Sequence, residues 1–241
     1  MTKLALTTEA VAFDYFITEP EGSNFIRSFY EDFFKKLECF IDLKFSLTPE
    51  NSSFEISICG ITEHQLEKNE GVSAYATLGY TETNVTEQCL ITIDNNHIKS
   101  NLNPIKSKSV PTELRGAIES SSIQSLKNTL AHEFLHCLVL DHPVYPKNHA
   151  LSYNKQYRSV MEDNSPIIQK CSKLSPKELA QAGFHSTYQC IDSQIFPTNL
   201  DMQVLIELYG KSTLQNDFCQ HTRQEFIGEH GNDILSKHFD L

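Results

Sequence analysis

The sequence predicts a mixed α+β domain, and three observations carry that expectation. Apolar residues alternate with polar ones in several short stretches, the pattern of strands with one buried face. In others they recur at three- and four-residue spacing, the buried stripe of an amphipathic helix. Along the chain these stretches run strand, helix, four strands, helix, the order of a mixed α+β fold. The 241 residues are 39% hydrophobic and 10% aromatic, enough apolar material for a real core and against global disorder.

Phe13, Tyr15 and Ile17 alternate and suggest a first strand. Ser23, a good N-cap, precedes Phe25, Ile26, Phe29, Tyr30, Phe33, Phe34 and Leu37, which predict an amphipathic helix over 24–39. Ile41, Leu43, Phe45 and Leu47 form a strand pattern that stops at Pro49, and Phe54, Ile56 and Ile58 repeat it up to Gly60. Two further strands are expected at Ser73–Leu78 and Cys89–Ile93, the second ending in the turn signal Asp94-Asn95-Asn96. The polar stretch from Ile98 to Gly116 reads as a surface loop. Ser121-x-x-Gln124 has capping-box form and is expected to open a helix carrying Leu126, Leu130, Phe134 and Leu138. After Pro143 the pattern is irregular until Ser175-Pro176-Lys177-Glu178 starts a short helix that Gly183 can end. A later helix fits 200–209 with Gly210 as its C-cap, and Thr222-x-x-Glu225 marks one more helix start.

Composition excludes several roles. Lys and Arg number 20 against 31 Asp and Glu, a formal charge of −11, so nucleic acid, which needs a basic face, is not expected as partner. No apolar run approaches the ~20 residues of a membrane span, so no membrane insertion is expected. Lys3 precedes an apolar stretch, but Glu9 and Asp14 interrupt it and no small-residue cleavage site follows, so no secretory signal is read. The 7 cysteines, at 39, 59, 89, 137, 171, 190 and 219, contain no C-x-x-C pair. They read as mostly buried, reduced thiols, with a bridge between Cys171 and Cys190 left open.

The chemistry lies in His132-Glu133-Phe134-Leu135-His136. Residues four apart share one helix face, so both imidazoles can bind one ion. Neutral imidazole suits Zn²⁺ at about 2.0–2.1 Å. Glu133 projects beside that ion, placed to take a proton from a zinc-bound water and deliver it to a leaving amine. The competing reading is a surface helix whose His and Glu are merely solvated. The apolar residues around them weigh against it, because an unpaired buried Glu is costly.

His142 follows six residues after His136 and is itself followed by Pro143, with Ser159-Val160-Met161 further on. This arrangement resembles the metzincin zinc metalloproteases, whose extended motif is H-E-x-x-H-x-x-G-x-x-H followed by a methionine turn. His-Pro after the motif and Ser-Val-Met at the turn are similar to the serralysin and matrixin type of catalytic domain. Gly71-Val72-Ser73-Ala74-Tyr75-Ala76 resembles the edge strand of that cleft, and Asp201 to Gly210 resembles its closing helix. The resemblance implies a twisted, mixed five-stranded sheet, mostly parallel with an antiparallel edge strand, an active-site helix and a closing C-terminal helix. It implies His132, His136 and His142 as zinc ligands, Glu133 as catalytic base, and Met161 as an apolar floor under the imidazoles. The expected activity is that of a monomeric zinc-dependent endopeptidase, acting on protein or peptide substrates laid along residues 73–78.

The chain departs from that family at definite places. The family glycine is Val139, and a β-branched residue at positive φ is strained by about 1–3 kcal/mol. Either metal binding holds the strain, or the helix runs on and His142 reaches the ion otherwise, with Asp141 and then His149 as substitutes. The family's turn tyrosine is replaced by Asp163, leaving Tyr145, Tyr153 or Tyr157 as stand-ins. Only 9 glycines are present, so calcium-binding repeats are excluded. The expected organisation is a protease domain over 1–210, interrupted by an insertion at about 162–197, then a C-terminal tail over 211–241. Export of a bacterial protein by a route read from that tail, or a cytoplasmic location with the tail as a packed helix, both remain open. Rival functions are an inactive metzincin-fold binding module and a zinc amidase with a non-peptide substrate.

Overall fold

The computed structural model of the chain describes residues 11–17, 24–47, 55–61, 74–80, 86–103, 112–142, 159–161, 173–175, 177–178, 197–230, 235 and 238–239. Within them lie β1 (Val11–Ile17), α1 (Phe25–Leu37), β2 (Leu43–Leu47), β3 (Glu55–Ile61), β4 (Ala74–Tyr80) and β5 (Thr86–Asp94). These are followed by α2 (Asn95–Leu102), α3 (Thr112–Cys137), α4 (Asn199–Tyr209) and α5 (Asp217–His230). The arrangement is mixed α+β. Among the described residues no helix is long and apolar enough to cross a membrane.

The strands lie in the order β2-β1-β3-β5-β4. β1 runs parallel to β2 and β3, and β3 parallel to β5. β4 pairs antiparallel with β5 and occupies the edge, with Ala74 opposite Ile93 and Ala76 opposite Ile91. Cys89, Ile91 and Ile93 alternate along β5 and are all buried, giving that strand an apolar face for α3 to cover.

Aromatic residues join α1, β2 and α3. Tyr30, Phe33 and Phe34 on α1 meet Phe45 of β2 and Phe134 of α3, the Phe34 ring lying 4.5 Å from Phe45 and 4.6 Å from Phe134. The Tyr30 hydroxyl donates to the Leu130 carbonyl at 2.9 Å. Leu126, Leu130, Phe134 and Leu138 are fully buried, as their four-residue spacing predicts. This packing anchors the middle of α3 and with it everything the helix carries on its other side.

Element boundaries depart from the sequence reading where local signals mislead. The expected loop from Ile98 begins inside α2, because Asp94 acts as N-cap, accepting from Asn96 N–H at 2.9 Å, and Ile98 is buried. The expected Ser121 start lies inside α3, which begins at Thr112. Thr222 likewise lies inside α5, its hydroxyl bonded back to the Phe218 carbonyl, while Asn216 accepts from Cys219 N–H. A Ser or Thr three residues before Gln or Glu is thus as compatible with a helix interior as with its start. For α1 the N-cap is Asn24, and Ser23 lies outside the described residues. The Ser175 start is present as a reciprocal pair, Ser175 donating to Glu178 Oε2 through both N–H (2.8 Å) and hydroxyl (2.6 Å); Gly183 lies outside the described residues.

Residues after α4 fold back onto the turn between α1 and β2. Gly210 ends α4 with φ 83°, a left-handed conformation that glycine adopts without steric cost. Its carbonyl accepts from Asp42 N–H, Ser212 N–H donates to Phe40, and Lys211 bridges Ile41. Arg223 of α5 is buried and donates from Nε and an Nη to the Cys39 carbonyl, at 2.9 and 2.6 Å, with a further bond to Leu214. Its guanidinium lies 4.3 Å from the Phe239 ring centroid.

The expectation of reduced thiols is corrected. Cys39 bonds Cys219 across 180 residues, and Cys89 bonds Cys137 across 48. These four cysteines are buried as expected, but their partners are too distant in sequence for spacing to reveal. Chain-entropy arguments put the contribution of such loops at about 4–5 kcal/mol each. Cys171 and Cys190 lie outside the described residues.

Candidate metal centre

The candidate metal centre lies where α3 ends. Val139 has φ 65°, and the helix closes through Val139 N–H to the His136 carbonyl (2.9 Å) and Leu140 N–H to the Leu135 carbonyl (3.1 Å). This is the Schellman pairing that a glycine ordinarily supports. Of the two routes left open for His142, the structure takes the left-handed exit despite the β-branched side chain. The Cys89–Cys137 bridge fixes the adjacent helix terminus to β5. The Tyr209 hydroxyl of α4 donates to the Leu138 carbonyl at 2.9 Å.

The turn brings His142 back to His132 and His136. Their ring centroids lie 4.8 to 5.0 Å apart, and one nitrogen from each falls within 4.8 Å of the others. His132 Nε2 and His142 Nε2 are separated by 2.9 Å.

Two backbone carbonyls set the tautomers. His132 Nδ1 lies 2.9 Å from the Val160 carbonyl, and His136 Nδ1 lies 2.8 Å from the Leu140 carbonyl. A carbonyl oxygen only accepts, so each Nδ1 carries the proton and each Nε2 presents a lone pair toward the common centre. Two converging lone pairs repel unless a proton or a cation lies between them. Burial lowers the His136 pKa, with the nearby His142 acting in the same direction and the Leu140 carbonyl and Asp141 opposing; the neutral, metal-binding form is favoured. This donor set, three imidazoles with outer-shell carbonyls, fits a borderline-soft divalent ion such as zinc.

Glu133 is nearly buried. Burial pushes its carboxyl up to about 7, opposed by a hydrogen bond from the Ala76 backbone of β4. The carboxyl is thereby tied to the edge strand of the sheet.

A second network supports His132. Asp201 accepts from Val160 N–H (2.9 Å) and from the Ser159 hydroxyl, while Ser159 in turn accepts from Met161 N–H. The same carboxylate closes the capping box of α4 with Thr198. The closing helix thus holds the 159–161 turn, whose carbonyl orients His132.

The structure brings together His132, His136 and His142, and leaves Asp141 engaged with His142 N–H at 2.7 Å. Met161 is buried in the turn, but Val160 supplies the contact to the site. His149, Tyr145, Tyr153, Tyr157 and Asp163 lie outside the described residues. Sequence reasoning missed Val160, Leu140, Tyr209 and Asp201 as supports. Only Asp201 carried a readable signal, the Thr198-x-x-Asp201 cap; a backbone carbonyl has none.

No protein-family model matches the chain, and no curated protein matches it. Two solved structures of myroilysin resemble it remotely. One shares 14% identity with a TM-score of 0.35, covering 86% of this chain and 82% of the other. The second shares 12% identity with a TM-score of 0.36, covering 86% of both.

Proposed function

We propose that the chain is a zinc-dependent endopeptidase of metzincin type, with His132, His136 and His142 as metal ligands and Glu133 as catalytic base. The observation that carries this reading is the set of three imidazoles, two with Nδ1 committed to backbone carbonyls, whose remaining nitrogens converge at the end of the helix that also carries the buried Glu133. A divalent ion bound there supplies a Lewis acid and acidifies water. Glu133 accepts the proton of the attacking water and passes it to the leaving nitrogen as the carbon–oxygen bond forms and the carbon–nitrogen bond breaks.

The substrate class follows from β4. It is the edge strand, and Ala76 connects it to Glu133. An extended peptide can add to that edge by backbone hydrogen bonds, which favours peptide over a small amide. In domain terms, residues 1–210 form the catalytic unit with an insertion at about 162–197. Residues 211–241 are its C-terminal tail, of which α5 is bridged to the catalytic unit through Cys39–Cys219. The two disulfides fit an exported protein, since such bonds persist in oxidising compartments.

The test is metal content and digestion of a peptide library by the wild type, Glu133→Gln and His142→Ala. One zinc per chain, cleavage lost in Glu133→Gln with metal retained, and metal lost in His142→Ala are expected. Stoichiometric zinc with no cleavage of any peptide by the wild type would favour the inactive binding module. Turnover of a small amide alone would favour the amidase.

A further inference from the structure

The histidine cluster depends on one peptide group. His142 lies six residues beyond His136, and a helix continued through that stretch would carry it away from its partners. The chain turns back because Val139 adopts φ 65°, and a β-branched residue stays there only where its surroundings over-determine the backbone. The two closing hydrogen bonds orient the N–H groups of Val139 and Leu140. The carbonyl of Leu138 belongs to the peptide whose orientation sets φ at Val139, and it accepts from the Tyr209 hydroxyl at 2.9 Å. Leu138 is fully buried and Tyr209 only 8% exposed, so solvent is a poor replacement for the phenol.

We propose that Tyr209 is a positioning residue for the metal centre: its hydroxyl, donated to the Leu138 carbonyl, holds the left-handed exit at Val139 that brings His142 to His132 and His136. The inference rests on the metal-centre reading above and extends it to a residue on a different helix. Tyr209 acts through Leu138, and its partner in the argument is the valine standing where a glycine would need no such support. The same turn carries the Leu140 carbonyl that orients His136, so the phenol supports two of the three ligands at once.

A double-mutant cycle on the full chain tests this, using the wild type, Tyr209→Phe, Val139→Gly and the double variant. Zinc affinity is measured by competition with a chelator. Tyr209→Phe is expected to weaken zinc about 10- to 100-fold in the wild-type background, as loss of outer-shell support does. In the Val139→Gly background the loss should shrink to about threefold or less, because glycine holds the turn unaided. In Co²⁺-loaded protein the visible bands should weaken in Tyr209→Phe and recover in the double variant, a response that loss of core stability alone does not produce. Thermal unfolding of the metal-free proteins supplies an arm that needs no ion. There Val139→Gly should raise the melting temperature more in the Tyr209→Phe background than in the wild-type one. Equal loss of zinc affinity in both backgrounds, no loss at all, or additive melting temperatures would overturn the proposal. His136→Ala serves as a separate marker. If it binds zinc as the wild type does, the metal-centre reading fails, while the melting-temperature coupling still decides the role of Tyr209.

Discussion

Arg223 and the pair His132 and His136 are cationic or potentially cationic groups held by backbone carbonyls, yet the structure uses them in opposite ways. Arg223 turns inward: its bonds go to the carbonyls of Cys39 and Leu214, its plane lies on Phe239, and the Cys39–Cys219 bridge closes the same region. His132 and His136 each commit Nδ1 to a carbonyl, and each brings a ring nitrogen close to His142. The first pattern binds segments of the chain to one another. The second leaves three imidazole nitrogens close together, an arrangement compatible with a bound metal ion. A functional site is therefore recognised by the direction in which its polar atoms point after their internal bonds are made, and not by burial or charge.

The largest expected effect separates catalysis from metal binding within the second region. Glu133→Gln should lower peptide hydrolysis by about 10²–10⁴-fold, the usual range for loss of a general base, while zinc content stays at the wild-type level. Loss of zinc along with activity would instead make Glu133 part of the metal's support.

The next prediction sets the two regions apart. Arg223→Met removes the donors to the buried Cys39 carbonyl and the part-buried Leu214 carbonyl and should destabilise the chain by on the order of 2–5 kcal/mol. Chemical denaturation should register this, with zinc affinity in the folded protein unchanged. A parallel fall in zinc affinity would show that the C-terminal clamp and the metal centre are one cooperative unit.

A smaller effect is expected at Asp201, which reaches the centre through Val160. Asp201→Asn should weaken zinc affinity by about tenfold, measured by chelator competition. An unchanged affinity would mean the 159–161 turn holds His132 without the closing helix.

The smallest effect concerns an imidazole of the other kind. His97 sits close to side chains on both ring nitrogens, Asn101 and Thr129 each at 3.4 Å. Burial lowers its pKa, opposed by Asp94. The unfolded chain therefore binds a proton more readily than the folded one, so this stability contribution is present above the ordinary histidine pKa of about 6.5 and lost as pH falls below it. The melting temperature should decline slightly from pH 7 to 5, and less so in His97→Gln. An equal decline in both proteins would assign the pH response elsewhere, the clustered histidines included.

Legibility in the sequence followed the range of each interaction. The face of α3 was readable because Leu126, Leu130, Phe134 and Leu138 obey helical geometry within one segment. Gly210 was readable for the same reason, as a single residue whose backbone freedom ends a helix. Helix starts at Ser121 and Thr222 misled, because a capping-box pattern is only four residues long and recurs inside helices. The disulfides were invisible, since no local rule connects Cys39 to Cys219 or Cys89 to Cys137.

What the sequence determined alone is the chemical inventory. Two histidines at four-residue spacing with a glutamate between them must share a helical turn, and a third six residues on is within reach if the helix stops. Whether it stops was a tertiary decision. Nothing in Val139 favours a left-handed turn; the conformation exists because the Schellman bonds and the Tyr209 phenol act on the same few peptides, and the Cys89 bridge anchors the helix end beside them. Likewise the imidazole tautomers come from the carbonyls of Val160 and Leu140, groups every residue possesses and no sequence distinguishes. Side-chain identity supplies ligands, but only long-range packing fixes the backbone dipoles that aim them.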